Sequence, residues 1–456
     1  MAISHLFLLS LLLFSSPLPS SSTSIFPEFA RPTKSGYLPI KASPSPSLFY
    51  AFYEAQEPVW PLSDTPLLLW LEGGPGASSM LANFFHFGPW LISPKDNLEL
   101  RYENTAVSNR HNSIRELAVV VQIICGILLQ LCTAILSHGT VVLASSSLTV
   151  LSVPVTYSII NNTNEIPRDQ FTIASHLLVA LQAFLSSNNL FRNRPFYITG
   201  KSYAGKFVSS LDYRILKQNQ YVPSNLRINL KGIAIGNGLT HPIAQVNTHA
   251  DSFYFMGLRN EEQKKYFESL QSAVVNLIIT RKWKEASDLR AFILDKLQNV
   301  TGLATLFDFT RKTDYPLEII SEFLNNEEVK EAFGVSKDVQ FQSISEDVIN
   351  ALHDDVMKSA KYMVEELVRN IKVLLYQGLY DLGDGVVSTE AWVWKDGNEL
   401  IGYVQRFAGL SEVVLYDAGH FSVHDQMRHA QEMIEHWVSE KGLFYDKEEI
   451  IMKYRY

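Results

Sequence analysis

The chain has 456 residues, of which 46% are hydrophobic and 12% aromatic, so it can bury a sizeable core and is neither a disordered nor a collagen-like chain. Its 39 Lys and Arg stand against 47 Asp and Glu, a net charge of −8. That leaves no basic excess to displace the counterions of a nucleic acid and argues against such a partner. Two cysteines exclude a disulfide scaffold and a four-cysteine zinc site.

Residues 6–14 read LFLLSLLLF, followed by Pro17, Pro19 and small residues to Ser24. This predicts a secretory signal peptide over residues 1–24; the run is too short to span a bilayer. In that setting Asn161 and Asn299, each two positions before a Thr, become candidate glycosylation sites. Residues 67–71 (LLLWL) predict the first buried strand, running into a loop with paired glycines, Glu72-Gly73-Gly74-Pro75-Gly76. Residues 117–136 carry no charge and have the length of a membrane helix. A span there would put strands of one sheet on opposite sides of a bilayer, so the stretch from 114 to 160 reads instead as an aberrant segment. Within it, residues 117–155 are expected to pack poorly and to lack sheet pairing, and no membrane span is expected.

Further on, Ile173, Leu177, Leu178, Leu181 and Phe184 recur at helical spacing ahead of a second strand at 196–199. Further strands are predicted at 232–235, 373–376 and 413–416, and a last helix carries Met433, Trp437 and Val438. Residues 244–372 are charged and almost free of strand signals. The pattern predicts an α/β fold whose core runs over 25–243 and 373–456, with a helical insertion over 244–372.

The chemistry lies in the turns after these strands. Gly200-Lys201-Ser202-Tyr203-Ala204 follows the strand at 196–199 and fits a nucleophile elbow, with small residues two positions either side of an exposed Ser. A P-loop would need a glycine where Pro195 stands. An elbow Ser needs an acid and then a His downstream; Asp381 and His420 follow strands in that order, with Asp384 and His424 as competitors. Paired glycines after Glu72 would let N–H groups approach a reacting oxygen together with the N–H of Tyr203.

WLEGGPGASSM, YITGKSYAGKFV, GIAIGNGLTHP, LLYQGLYDLGDGVVSTEAW and DAGHFSVHDQ together resemble the serine carboxypeptidase family, in particular its plant and vitellogenic-type branch. The resemblance runs in order from Leu67 to Trp437, interrupted near 114–160. It implies an α/β-hydrolase fold and removal of C-terminal residues from peptides in a vacuolar, lysosome-like or extracellular setting. Ser202 would be nucleophile, His420 general base and acid, Asp381 the orienting carboxylate, and Gly74 and Tyr203 the oxyanion-hole amides. No cofactor and no metal is implied; the partner is a peptide or ester substrate, and the oligomeric state is left open. An acyltransferase working from activated esters, or a catalytically inactive relative, would share the same elements.

The departures concern substrate binding. The family holds the substrate's terminal carboxylate with an Asn, a Glu and a second Glu, whose positions are taken here by Glu72, Lys201 and His86. A free Lys201 would attract a carboxylate, whereas a Glu72–Lys201 pair would neutralise itself; the pair is the expected arrangement. The family also has about one more helix after STEAW, which marks 393–395 as a deletion junction.

Overall fold

The computed structural model describes residues 25–26, 31–40, 47–54, 61–86, 90–92, 98–100, 139–143, 166–384 and 392–444. The signal-peptide region, Asn161 and residues 117–136 lie outside them.

The centre is a ten-stranded sheet. Its strands are β1 (Lys34–Pro39), β2 (Ser47–Tyr53), β3 (Leu67–Leu71), β6 (Gly139–Leu143), β7 (Phe196–Lys201), β8 (Leu230–Gly236), β9 (Lys372–Gly378), β10 (Trp392–Asp396), β11 (Glu399–Phe407) and β12 (Leu410–Leu415). A separate antiparallel pair, β4 (Trp90–Ile92) and β5 (Leu98–Leu100), stands apart from it. The spatial order is β1-β2-β6-β3-β7-β8-β9-β12-β11-β10. From β6 to β12 all neighbours are parallel. The two outer strands on each side are antiparallel.

Both faces of the parallel part are covered, which is why its strands read as unbroken apolar runs. Side chains alternate across a strand. Leu67, Leu69 and Leu71 of β3 therefore join Phe196, Ile198, Ile233 and Val373 in one core. That core packs on α1 (Gln170–Ser186) and α2 (Ala204–Gln218). Leu68 and Trp70 face the other way, onto Met433, Ile434 and Trp437. Those three belong to the last long helix, Met427–Ser439. A Cβ on Gly232 would come 2.8 Å from the Trp437 ring, so glycine there lets this helix lie directly on β8. Each Leu, Ile or Phe so buried contributes roughly 1.5–3 kcal/mol over an exposed one.

One expectation is corrected. Residues 139–143, within the stretch expected to lack sheet pairing, form β6. This strand fills the slot between β2 and β3 and pairs with both. Its sequence, Gly-Thr-Val-Val-Leu, is rich in the β-branched residues that strands favour. Residues 393–395, read as a deletion junction, lie inside the edge strand β10, whose pairing with β11 shifts register between Trp394 and Lys395. That shift is a bulge of the kind common at sheet edges, and the strand continues through it.

From 237 to 371 the chain forms helices and turns, with one isolated bridge between Ala77 and Ile344. Its helices include α3 (His249–Phe255), α4 (Glu261–Ile279), α5 (Trp283–Thr301) and α6 (Lys361–Val368). Phe253 of α3, Phe267 and Val274 of α4, and Ile293 and Leu297 of α5 share an apolar cluster, whereas Leu367 of α6 joins the core under the sheet. No helix among the described residues is long and apolar enough to cross a membrane.

Asp212 on α2 is fully buried, and its carboxyl oxygens meet no donor beyond the residue's own backbone N–H. Burial pushes this carboxyl well above the ordinary carboxylate value. The native state thus holds a proton that the unfolded chain releases at lower pH, and stability falls as pH rises above about 4. The slope is about 1.4 kcal/mol per pH unit until the raised value is passed. Asp212→Asn should match the wild type at pH 4 and melt at higher temperature at pH 7. An equal Tm difference at both values would contradict this account.

Candidate active site

Ser202 sits in the turn between the end of β7 and the start of α2, with φ 60°. This left-handed conformation is costly for a side-chain-bearing residue and is held here by the backbone around it. Ser202 N donates to Gly236 O at 2.9 Å, and Ser202 O accepts from Gly205 N at 2.9 Å and Leu239 N at 3.0 Å. A Cβ at Gly200 would lie 2.7 Å from Leu71 O, 2.9 Å from Val208 and 3.0 Å from Ala204 Cβ, which is why small residues flank the turn. The glycine loop after β3 presses against it: a Cβ on Gly73 would lie 2.8 Å from both Ser202 Cβ and Tyr203 N. Gly74 has φ 105°, open to glycine and strained for other residues.

Tyr203 is anchored behind the turn. Its hydroxyl donates to Asp355 Oδ2 at 2.7 Å, and Gln170 Nε2 donates to the same oxygen at 2.6 Å. Lys206 Nζ donates to Asp355 O, to Val356 O at 2.8 Å and to Lys358 O at 2.7 Å. Burial lowers the Lys206 ammonium to about 7, against the opposing pull of Asp355.

Asp381 follows β9 and His420 follows β12, and the fold brings them together. His420 Nδ1 lies 2.7 Å from Asp381 Oδ2 and 3.7 Å from Asp384 Oδ2. Only the first is a hydrogen bond. Asp381 Oδ2 also accepts from Asn237 Nδ2 at 2.9 Å, and Oδ1 accepts from Gly383 N at 2.8 Å. Burial raises the Asp381 carboxyl, but the charge and hydrogen bond of His420, with the bonds from Asn237 and Gly383, outweigh it and hold the group below its ordinary value. Asp384 accepts instead from Arg290 Nη2 at 2.9 Å. Burial raises its carboxyl, and Arg290 and His420 only partly oppose that. Phe307 stacks on the His420 ring at 4.6 Å, and Phe307 O accepts from His420 N at 2.6 Å. The other competitor, His424, bonds Phe85 O through Nδ1 at 2.8 Å and stacks on the Phe85 ring at 4.2 Å.

Glu72 and Lys201 form the expected ion pair, Nζ to Oε1 at 3.4 Å, with both side chains buried. Glu72 also accepts from Trp70 Nε1 at 3.3 Å, and Lys201 Nζ lies 3.5 Å from the centroid of the Phe421 ring. Burial lowers the Lys201 ammonium, and Glu72 is the strongest opposing group. His86 ends the π-helical turn Ala82–His86, and its side chain lies outside the described residues. Asn299 is exposed in the last turn of α5, where its Nδ2 donates to Asp295 Oδ2 at 2.9 Å.

Asp381, Asp384 and His420 bring possible metal-ligand atoms within 4.8 Å of one another. Arg290 already holds one of these carboxylates, so an entering cation would face a guanidinium. A cavity of about 230 Å³ beside Tyr376, Gln377 and Glu412 is lined by none of Ser202, Asp381 and His420. The sequence reading assigned no role to Asn237, Phe307 or Arg290. Only Asn237 had a signal, a polar residue directly after a strand.

The serine carboxypeptidase family model matches residues 24–114 and 151–440. Serine carboxypeptidase-like 50 of Arabidopsis thaliana is 42% identical over 97% of this chain and 95% of its own length. A serine carboxypeptidase-like protein of Oryza sativa subsp. japonica is 30% identical over 89% of this chain and 92% of its own. Among solved structures, KEX1(delta)p, a prohormone-processing carboxypeptidase from Saccharomyces cerevisiae, superposes with a TM-score of 0.70 at 18% identity, covering 90% of this chain and 92% of that one. That likeness supports the α/β-hydrolase fold. With the family model matching most of its length and a relative 42% identical along nearly all of it, the chain belongs to the serine carboxypeptidase family and is a serine-type carboxypeptidase, a serine hydrolase whose substrates are peptides.

Proposed function

We propose that Ser202, His420 and Asp381 form the catalytic triad and that the N–H groups of Gly74 and Tyr203 form the oxyanion hole. The observation that carries this reading is the buried 2.7 Å bond between Asp381 and His420 Nδ1. An ionised Asp381 can only accept, so His420 carries its proton on Nδ1 and leaves Nε2 free to act as base. Ser202 Oγ attacks the carbonyl carbon of the scissile bond while His420 Nε2 takes the hydroxyl proton. The tetrahedral oxyanion is met by the two N–H groups. His420 then gives its proton to the leaving amine, and a water molecule, deprotonated by the same nitrogen, hydrolyses the acyl-enzyme. Residues 244–372 are, in this reading, a helical insertion that sends Arg290 and Phe307 to the back of the site. The apolar N-terminus and the exposed Asn299 sequon support a route through the secretory pathway to a vacuolar, lysosome-like or extracellular destination. Labelling of the wild type, but not of Ser202→Ala, by a fluorophosphonate tests the assignment of the nucleophile.

The Glu72–Lys201 pair gives the substrate preference a direction. Both charges are already neutralised by each other in a buried setting, so little attraction remains for the carboxylate of a peptide C-terminus. Uncharged esters should therefore be hydrolysed with kcat/KM at least as high as the matching free-acid dipeptide from pH 4 to 8. A strong preference for the free acid at acidic pH would refute this. Glu72→Asn with Lys201→Glu should bring that preference back. Either change alone leaves a buried charge without its partner, at about 3–5 kcal/mol.

A further inference from the structure

Two carboxylates flank one imidazole in this site, and only one of them is hydrogen-bonded to it. Asp384 Oδ2 stands 3.7 Å from His420 Nδ1, about 1 Å beyond the Asp381 bond. Its other oxygen is held by Arg290 Nη2 at 2.9 Å, and the same nitrogen reaches Gly383 O at 3.4 Å. Arg290 comes from α5, within the 237–371 stretch of helices and turns, and is itself mostly buried. The backbone of the turn is fixed as well: Leu382 N donates to Leu306 O at 2.9 Å, and Gln245 Nε2 donates to Asp384 O at 3.2 Å.

We propose that Arg290 is a positioning residue for hydrolysis: its guanidinium holds Asp384 off His420, so that the imidazole keeps Asp381 as its single partner. The inference rests on the roles proposed for Ser202, His420 and Asp381. The charged and titratable groups around Asp384 are Arg290 from α5, Asp381 from its own turn, His420 after β12 and Lys201 at the end of β7. His249, at the start of α3, also feels Arg290 and Asp381; burial lowers it to about 3, so it stays neutral. Arg290 is therefore the charge that lets a second buried carboxylate stand beside Asp381 without competing for the ring. Without it, two like charges share one buried site and draw in a proton, and His420 is protonated more readily beside them.

The test is the pH profile of kcat/KM for an uncharged ester with Arg290→Gln, Arg290→Lys and the double variant Arg290→Gln/Asp384→Asn. Arg290→Gln is expected to move the acidic limb up by about one pH unit and so to lower kcat/KM about tenfold on that limb, with the plateau little changed. Arg290→Lys retains the charge and should lie close to the wild type. The double variant, with no second carboxylate to ionise, should return the limb to its original place. A limb unmoved in Arg290→Gln overturns the proposal, and so does a double variant shifted as far as the single. Should the wild type prove inert to esters and to fluorophosphonate, the triad reading falls. The pH titration of the His420 ring nitrogens by NMR, in the same variants, then decides the role of Arg290 by the same criteria.

Discussion

Ser202→Ala is expected to lower kcat for ester hydrolysis by on the order of 10⁶-fold, the scale seen when a triad nucleophile is removed. The change takes away the attacking oxygen and little else. The turn is imposed by Gly200, Ala204 and the backbone bonds to Gly236 and Leu239, all of which remain. Alanine is no worse than serine at φ 60°, since both carry a Cβ. Unfolding temperature should therefore change little while activity disappears. A variant that keeps more than about a hundredth of the wild-type rate would place the nucleophile elsewhere.

Asp381→Asn is expected to cost about 10⁴-fold in kcat, and Asp384→Asn far less. The reason lies in the partners of Asp381. Both of its oxygens accept: Oδ2 from Asn237 Nδ2 and His420 Nδ1, Oδ1 from Gly383 N. An asparagine must turn its NH₂ toward one set or the other. Facing Oδ2's partners, it opposes another amide donor and forces His420 into the tautomer with its proton on Nε2. Facing Gly383, it sets donor against donor, at about 1–3 kcal/mol for the unpaired buried group. Asp384 has no such bond to the ring. Comparable losses in the two variants would mean that the acid has been assigned to the wrong carboxylate.

How much was legible in the sequence followed the physics of each part. The parallel strands stood out because a sheet covered on both faces selects unbroken apolar runs such as Leu67–Leu71. β6 did not, because its five residues sit in a longer apolar stretch with no period to separate strand from span. The antiparallel outer strands escaped for the opposite reason: Glu399–Phe407 alternates buried and open positions only in part, and nothing in it marks a site. The order of Ser202, Asp381 and His420 was readable because each follows a strand. Arg290 was not, since on a charged helix it has the pattern of a surface residue, and its approach to Asp384 is set by how α5 packs. The Glu72–Lys201 pair could be anticipated because both residues flank the expected oxyanion hole, where opposite charges favour each other's ionised forms.

The place of β12 has a consequence for how the molecule comes into being. This strand follows β9, β10 and β11 in the chain, yet it is interior to the sheet, between β9 and β11. Until it emerges, β9 has a bare parallel edge, the kind of surface that recruits other strands and invites aggregation. His420 arrives only after it. On the roles proposed above, a growing chain that has not yet reached His420 holds Ser202 without its base, so hydrolytic activity should appear only once β12 has emerged to pair with β9.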